Sequence, residues 1–138
     1  MFKVGSIFIP VTDLEKAQAW YETKLKAKVI DCWEDGIGLY LPYRSTQIAL
    51  IKVETIQPSE FNTLGDQMNG YFNFAVQDIH VAYDHFKNLN VKLSNIEDFG
   101  GMQCFDFFDL EGNPFSVVNE VVGSPFHSDS VERAQRES

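Results

Sequence analysis

The feature that most constrains the fold is an internal repeat, in which Ile7 coincides with Phe72 at an offset of 65 residues. Apolar strand positions, a helix-start aspartate and helix core positions recur in the same order. The residues Ile7, Ile9, Val11, Asp13, Ala17 and Tyr21 fall on Phe72, Phe74, Val76, Asp78, Ala82 and Phe86. A repeat of this kind indicates a duplicated structural unit.

Each copy of the repeat is predicted to be a strand, a helix and three further strands. A helix begins after the first strand, with either Thr12 as its cap in a capping box with Glu15, or Asp13 as the cap. Period-two apolar residues bounded by turn residues predict the strands. The first copy has strands at 3–11, 29–33, 37–41 and 47–53, and the second has strands at 71–77, 91–96, 102–108 and 115–121 with a helix from Asp78.

The end of the second copy is predicted to be a β-hairpin. Aromatic and branched residues flank a cluster of turn residues from Asp109 to Pro114. Within that cluster Gly112 and Asn113 both tolerate positive φ, which short hairpin turns often need.

The remaining segments divide the chain. Residues 54–70 show no clear period and contain Pro58 and Gly65, so they include the best linker candidate. The tail is polar and is predicted to be either frayed or a short helix. The expected organisation is a first module at 1–57, a linker at 58–70, a second module at 71–122 and a tail at 123–138.

Composition narrows the possible partners. The formal net charge of −9 disfavours nucleic acid, which requires a basic surface. Two cysteines, Cys32 and Cys104, lack metal-type spacing and suit a reducing compartment. Neither a signal peptide nor an apolar run of membrane length is visible, so we expect a cytoplasmic protein without a membrane partner. The 12 Phe, 5 Tyr and 2 Trp exceed the needs of a small core, and some are expected to line a cavity.

The duplicated order and the run Asp109-x-x-Gly112-Asn113 after an aromatic strand resemble the vicinal oxygen chelate superfamily of glyoxalases, bleomycin-resistance proteins and extradiol dioxygenases. The resemblance covers about residues 3–122, although Leu110 stands where the family usually has proline. It implies an α+β fold in which two tandem βαβββ modules form paired half-barrels around a cleft. It also implies a homodimer.

The resemblance further implies four metal-ligand positions in the cleft. They correspond to Ser6, Tyr71, Ser116 and a position near Ala49, and none carries His, Asp or Glu. A divalent ion takes several carboxylate or imidazole ligands, so we predict that the protein uses no metal and no other cofactor. The three histidines do not replace these ligands, because His80 and His85 lie five apart on a helix and His127 is in the tail.

Strand alternation assigns aromatic and mildly polar side chains to the cleft. Among them, Asp106 could hold a cationic group, or act as a base if its pKa is raised. Cys104 has no histidine placed to activate it as a nucleophile. The candidate ligand-binding residues are Ser6, Phe8, Trp33, Tyr40, Gln47, Tyr71, Asn73, Met102, Cys104, Asp106, Phe108 and Ser116.

These residues support a metal-free small-molecule-binding protein of the glyoxalase and bleomycin-resistance type, with an aromatic or cationic ligand. One alternative is a lyase, isomerase or dioxygenase of the same superfamily with an unorthodox metal site, so whether the protein is an enzyme is left open. Another is a purely structural or partner-binding role. If the cleft is an emptied metal site, the hydroxyls of Ser6, Tyr71 and Ser116 are expected to converge.

Overall fold

The computed structural model describes all of residues 1–138 as eleven strands and three helices. In chain order the elements are β1 (Ser6–Val11), α1 (Leu14–Lys24), β2 (Lys28–Trp33), β3 (Gly36–Tyr40), β4 (Gln47–Lys52), β5 (Glu60–Asn62), β6 (Met68–Gly70), β7 (Asn73–Val76), α2 (Ile79–Asn88), β8 (Lys92–Leu93), β9 (Glu97–Phe99), β10 (Met102–Phe108), β11 (Pro114–Asn119) and α3 (Ser128–Glu137).

Two βαβββ modules account for most of these elements. The first forms a four-stranded sheet in the order β1-β4-β3-β2, with β1 parallel to β4. The second forms a sheet in the order β7-β11-β10-β8, with β7 parallel to β11 and the short β9 added along β10. In both modules the strand before the helix pairs in parallel with the last strand. The predicted α+β class with two βαβββ modules is confirmed.

The chain divides into two compact units that do not follow the module boundary throughout. Unit 1 consists of residues 1–72 and 108–114, and unit 2 consists of residues 73–107 and 115–138. The turn Phe108–Pro114 thus belongs to unit 1, although the strands on either side of it lie mostly in unit 2.

The core of unit 1 lies between its sheet and α1. Helix α1 begins after Asp13, whose side chain accepts a hydrogen bond from the backbone N–H of Lys16, so the aspartate is the cap. The helix contributes Ala17 and Tyr21 to the core, both with no exposed surface. Alternate strand residues complete the core, namely Ile9, Val11, Ile37, Leu39, Ile48 and Leu50.

Aromatic side chains make up the core of unit 2. The ring of Phe107 stacks on Phe86 of α2 at 4.4 Å between centroids. It also packs against Phe115 at 5.5 Å and Phe74 at 5.6 Å. Phe105 extends the cluster through an edge contact with Tyr83 at 5.1 Å. Aromatic pairs at these separations stabilise a core beyond the burial of their area.

Several boundaries differ from the sequence-based expectations. Within the segment predicted as a linker, β5 and β6 form a two-stranded hairpin. The strand expected at 71–77 is shorter, and Tyr71 lies before β7. The strand expected at 91–96 shrinks to Lys92–Leu93.

The tail forms α3, whose cap is His127. None of the three helices is long and apolar enough to cross a membrane.

Candidate functional site

One face of the first sheet is turned away from α1 and carries five of the predicted candidates, namely Ser6, Phe8, Trp33, Tyr40 and Gln47. Directly paired strand residues lie on the same face of a sheet. Ser6 pairs with Gln47, which pairs with Tyr40 on the other side. These three candidates therefore form one row across β1, β4 and β3.

The next row on this face combines one large and two small side chains. Phe8 of β1 pairs with Ala49 of β4, which pairs with Gly38 of β3. The phenyl group is exposed, with 68% of the residue's surface accessible, whereas Ala49 is buried. A low floor of Ala49 and Gly38 therefore lies beside the phenyl ring.

Trp33 lies on the other side of this floor, against the backbone of β3. A Cβ atom built on Gly36 would lie 2.2 Å from Cζ2 of the indole, so only glycine permits this packing. A Cβ atom on Gly38 would lie 3.9 Å from Cζ3, in ordinary van der Waals contact. The indole is half exposed, at 51%. The face thus has Phe8 on one side, Trp33 on the other and small residues between them, an arrangement that suits flat aromatic groups.

The corresponding face of the second sheet is polar. Asn73 of β7 pairs with Ser116 of β11. The Ser116 hydroxyl donates to Asp106 Oδ1 at 2.7 Å. The backbone N–H of Asp106 donates to the Ser94 hydroxyl at 2.8 Å, and the N–H of Ser94 donates back to the Asp106 carbonyl at 2.9 Å. One hydrogen-bonded row therefore runs across the strands and orients the carboxylate.

One carboxylate oxygen of Asp106 has no hydrogen-bond donor in the protein. Its Oδ1 accepts from Ser116, and Oδ2 accepts no hydrogen bond from the protein. The side chain is only part-buried, so water or a ligand can reach it. A carboxylate in this state can accept a hydrogen bond from an ammonium, amidinium or hydroxyl group.

Cys104 and Met102 lie along the same strand as Asp106. Burial raises the pKa of the Cys104 thiol, and the carboxylates of Glu97 and Asp106 raise it further. The thiol is thus held in its protonated, weakly nucleophilic form. Met102 pairs with Phe99 of β9 and is partly exposed. Both residues are suited to contact a ligand rather than to attack one.

The remaining candidates, Tyr71 and Phe108, belong to unit 1. Tyr71 is exposed and its ring packs at 5.0 Å from that of Phe61 in β5. Phe108 ends β10 and is half-buried. Ser6 lies in the same unit, whereas Ser116 lies in unit 2. The expected convergence of Ser6, Tyr71 and Ser116 stays a prediction.

A buried polar network in unit 1 escaped the sequence analysis. The Tyr21 hydroxyl donates to Asp109 Oδ2 at 2.8 Å, and the side-chain amide of Asn113 donates to the same oxygen at 2.8 Å. The backbone N–H groups of Glu111 and Asn113 donate to Oδ1 at 2.9 Å each. Burial raises the pKa of Tyr21 well above its ordinary value, as do the charge and hydrogen bond of Asp109 and, last, the charge of Glu111. Four donors satisfy the buried carboxylate, which holds the turn against α1.

The same turn makes a second contact that changes the interpretation of Thr12. Both its backbone N–H and its hydroxyl donate to the Glu111 carboxylate. Thr12 therefore does not form the capping box with Glu15. The turn itself follows expectation at Gly112, with φ of 84°, whereas Asn113 keeps an ordinary φ and uses its amide to bond Asp109.

The metal positions implied by the resemblance do not suit a divalent ion. They carry two serines, a tyrosine and an alanine, which lack the imidazole and carboxylate donors such an ion takes. No group of three or more His, Cys, Asp and Glu side chains is arranged to hold a metal. His80 and His85 lie on α2, and His127 caps α3 through Nδ1.

Solved structures share this fold at low sequence identity. A fosfomycin resistance protein, FosX, from Listeria monocytogenes is 16% identical, with 88% of this chain and 96% of that chain covered and a TM-score of 0.67. An antibiotic-binding protein, TnmS3, from Streptomyces sp. CB03234 is 15% identical, with coverage of 86% and 96% and a TM-score of 0.69. A superfamily member from Sphaerobacter thermophilus is 24% identical, with coverage of 87% and 98% and a TM-score of 0.67.

No curated protein matches the chain. Residues 3–117 match the Glyoxalase/Bleomycin resistance protein/Dioxygenase superfamily, which agrees with the duplicated modules and the shared fold. The chain belongs to the glyoxalase, bleomycin resistance protein and dioxygenase superfamily.

Proposed function

We propose that this protein is a metal-free small-molecule-binding protein whose ligand contains a flat aromatic ring. The observation that carries the proposal is the face of the first sheet, where Phe8 and Trp33 are exposed on either side of a floor made by Ala49 and Gly38. Because the rings of Phe8 and Trp33 are exposed, they do not contribute to the core. They provide instead an apolar surface on which the ring of a ligand can pack.

The spacing of the strands supports a single ring in this position. Neighbouring strands lie about 5 Å apart, so Phe8 on β1 and Gly38 on β3 are separated by about 10 Å. The indole of Trp33 leans over Gly36 and reaches Gly38. A ring above Ala49 would contact both aromatic groups, and each contact would contribute roughly 0.5–1.5 kcal/mol beyond burial.

Charge supports a cationic ligand. The net charge is −9, and Asp106 presents one oxygen without a partner in the protein. Two structural relatives, an antibiotic-binding protein and a fosfomycin resistance protein, support binding of an antibiotic-like compound.

We also propose that the protein is cytoplasmic and acts as a homodimer. Neither cysteine forms a disulfide, which supports a reducing compartment. Analytical ultracentrifugation tests the homodimer, and a single-chain mass throughout the working concentration range would contradict it.

The binding test uses proflavine, a flat tricyclic cation, titrated into the purified protein and followed by its fluorescence. Trp33→Ala is expected to weaken binding about tenfold, which corresponds to the loss of one ring contact and its burial. Asp106→Asn is expected to weaken proflavine binding but not binding of the anion 8-anilinonaphthalene-1-sulfonate. Phe99→Ala, which removes an exposed aromatic group from β9, is the matched control and should leave the affinity unchanged.

Two results would contradict the proposal. One is equal proflavine affinity in the wild type and Trp33→Ala. The other is stoichiometric metal in the purified protein together with loss of binding after chelation, which would instead favour a superfamily enzyme with an unorthodox metal site.

A further inference from the structure

The hairpin formed by β5 and β6 is a separate two-stranded sheet. Its strands pair only with each other, over Glu60–Asn62 and Met68–Gly70. A two-stranded hairpin alone is marginally stable in water. The ring contact between Phe61 and Tyr71 is a stabilising contact within the same segment.

Exposed apolar side chains are concentrated around this hairpin. Ile56, Leu64, Met68 and Tyr71 each expose half or more of their surface, and Phe61 is also exposed. Single exposed apolar residues are common, but a group of five within sixteen residues indicates a surface that another molecule covers.

The hairpin segment, residues 53–72, is also uniformly acidic. It carries Glu54, Glu60 and Asp66 but no Lys or Arg. None of these carboxylates takes part in an ion pair or a side-chain hydrogen bond. A partner for this surface therefore needs cationic groups beside an apolar patch.

A surface of that kind exists elsewhere in unit 1. At the end of α1 and the start of β2 stand Lys24, Lys26 and Lys28, followed by the exposed Ile30. Lys26 and Lys28 are exposed and form no ion pair. These residues, which we call the lysine segment, present the exposed ammonium groups of Lys26 and Lys28 to the carboxylates of a partner.

We propose that the hairpin segment docks on the lysine segment of a second copy of this chain. An interface with two-fold symmetry would form the contact twice, because each protomer supplies both surfaces. The net charge of −9 makes two copies repel in most orientations, so association requires such a local match. Pairing of two hairpins with each other would instead bring six carboxylates together. The proposal rests on the homodimer proposed above and is independent of ligand binding.

Charge reversal tests the proposal by analytical ultracentrifugation of the full-length wild type and two variants. Glu54→Lys/Glu60→Lys reverses the hairpin segment and Lys26→Glu/Lys28→Glu reverses the lysine segment. Each variant alone presents like charges at both contacts, and its dissociation constant is expected to rise more than about tenfold. An equimolar mixture of the two variants restores opposite charges at both contacts and is expected to restore the dimer.

The matched control is Glu34→Lys/Glu137→Lys, which changes the net charge as much as the hairpin reversal does but at two exposed sites outside both segments. It should dimerise like the wild type. Because Glu60 is half-buried, Glu54→Gln/Glu60→Gln serves as a second variant if the reversal does not fold, and it should weaken the dimer and reduce its salt dependence.

The outcomes separate the two proposals. A wild-type monomer overturns the homodimer and this interface together. A wild-type dimer that persists in both reversed variants overturns the interface alone. If both variants are monomers and their mixture is also monomeric, the hairpin segment does not meet the lysine segment of a second copy, and this proposal is wrong.

Discussion

The two large sheets have the same strand pairing, but their faces carry different side chains. In the first sheet the helix side is aliphatic, with Leu39 and Ile48 as buried members, and the opposite face presents Phe8 and Trp33. In the second sheet the helix side is built from stacked phenylalanines around Phe107, and the opposite face carries a hydrogen-bonded polar row.

The difference shows what a duplicated fold preserves. Alternation along the strands fixes which positions face the helix, and both copies keep these positions apolar. The other face does not contribute to the core, so its chemistry can diverge between copies. In this protein one copy carries an aromatic surface and the other carries an oriented carboxylate.

The largest expected effect tests the two cores. Phe107→Ala should destabilise unit 2 by about 3–5 kcal/mol, because a buried ring with three aromatic neighbours leaves a cavity. Leu39→Ala in the first sheet should cost about 2–5 kcal/mol, and less than Phe107→Ala in the same measurement. Urea unfolding monitored by circular dichroism gives both values. Phe99→Ala is the control with little effect, and a larger cost for Leu39→Ala would remove the distinction between the cores.

A smaller effect on stability is expected from the buried phenol of Tyr21, which lies in the core of unit 1 and has no counterpart in the core of unit 2. Tyr21→Phe should cost roughly 1.5–3 kcal/mol, since it removes a hydrogen bond to the charged Asp109. The pKa of Tyr21 is raised in the folded state, so this contribution is fully present below the unfolded pKa of about 10 and is lost as pH rises above it.

Urea unfolding at pH 8 and near pH 11 checks the direction in which the contribution of Tyr21 to stability changes with pH. The difference in stability between wild type and Tyr21→Phe should shrink at the higher pH. Tyr43→Phe, at an exposed position, should match the wild type at both. A difference that grows with pH would show that the phenol does not titrate as its burial requires.

The smallest effect on stability should come from the face of the first sheet that presents Phe8 and Trp33. In Gly36→Ala the new Cβ would overlap the indole of Trp33, which is half exposed and can move away, so the cost should be about 1 kcal/mol or less. In a Trp20→Phe background, tryptophan emission should shift to longer wavelength and acrylamide quenching should increase. Gly38→Ala should leave the emission nearly unchanged, and equal shifts in both variants would contradict the packing of the Trp33 indole on Gly36.

The fold was predictable because its signals are local. Apolar alternation, the helix-start aspartates and the final turn each occupy a few neighbouring residues, and the 65-residue offset between Ile7 and Phe72 relates the two copies. The candidates Ser6, Gln47 and Tyr40 lie in one row of the strand register, and their contact with a ligand stays a prediction.

The features that escaped prediction depend on distant or weak signals. Thr12 bonds Glu111, which lies 99 residues away, so no local pattern could exclude the capping box. The strands of the β5–β6 hairpin have three residues each, too few for a period to be visible. The packing of Trp33 had a signal that was overlooked, because a tryptophan followed three residues later by glycine fits a hairpin in which the ring covers the partner strand.

The contact between Tyr21 and Asp109 also bears on the order of events when a ribosome makes this chain. The two residues are 88 positions apart, and at about 5–20 residues per second the aspartate emerges roughly 4–18 s after the tyrosine. During that interval the phenol of α1 lacks its buried acceptor, so the first module cannot reach its final packing although all of its strands have been made. Nascent chains truncated before Asp109 should therefore be more susceptible to proteases at α1 than chains that extend past Asn113.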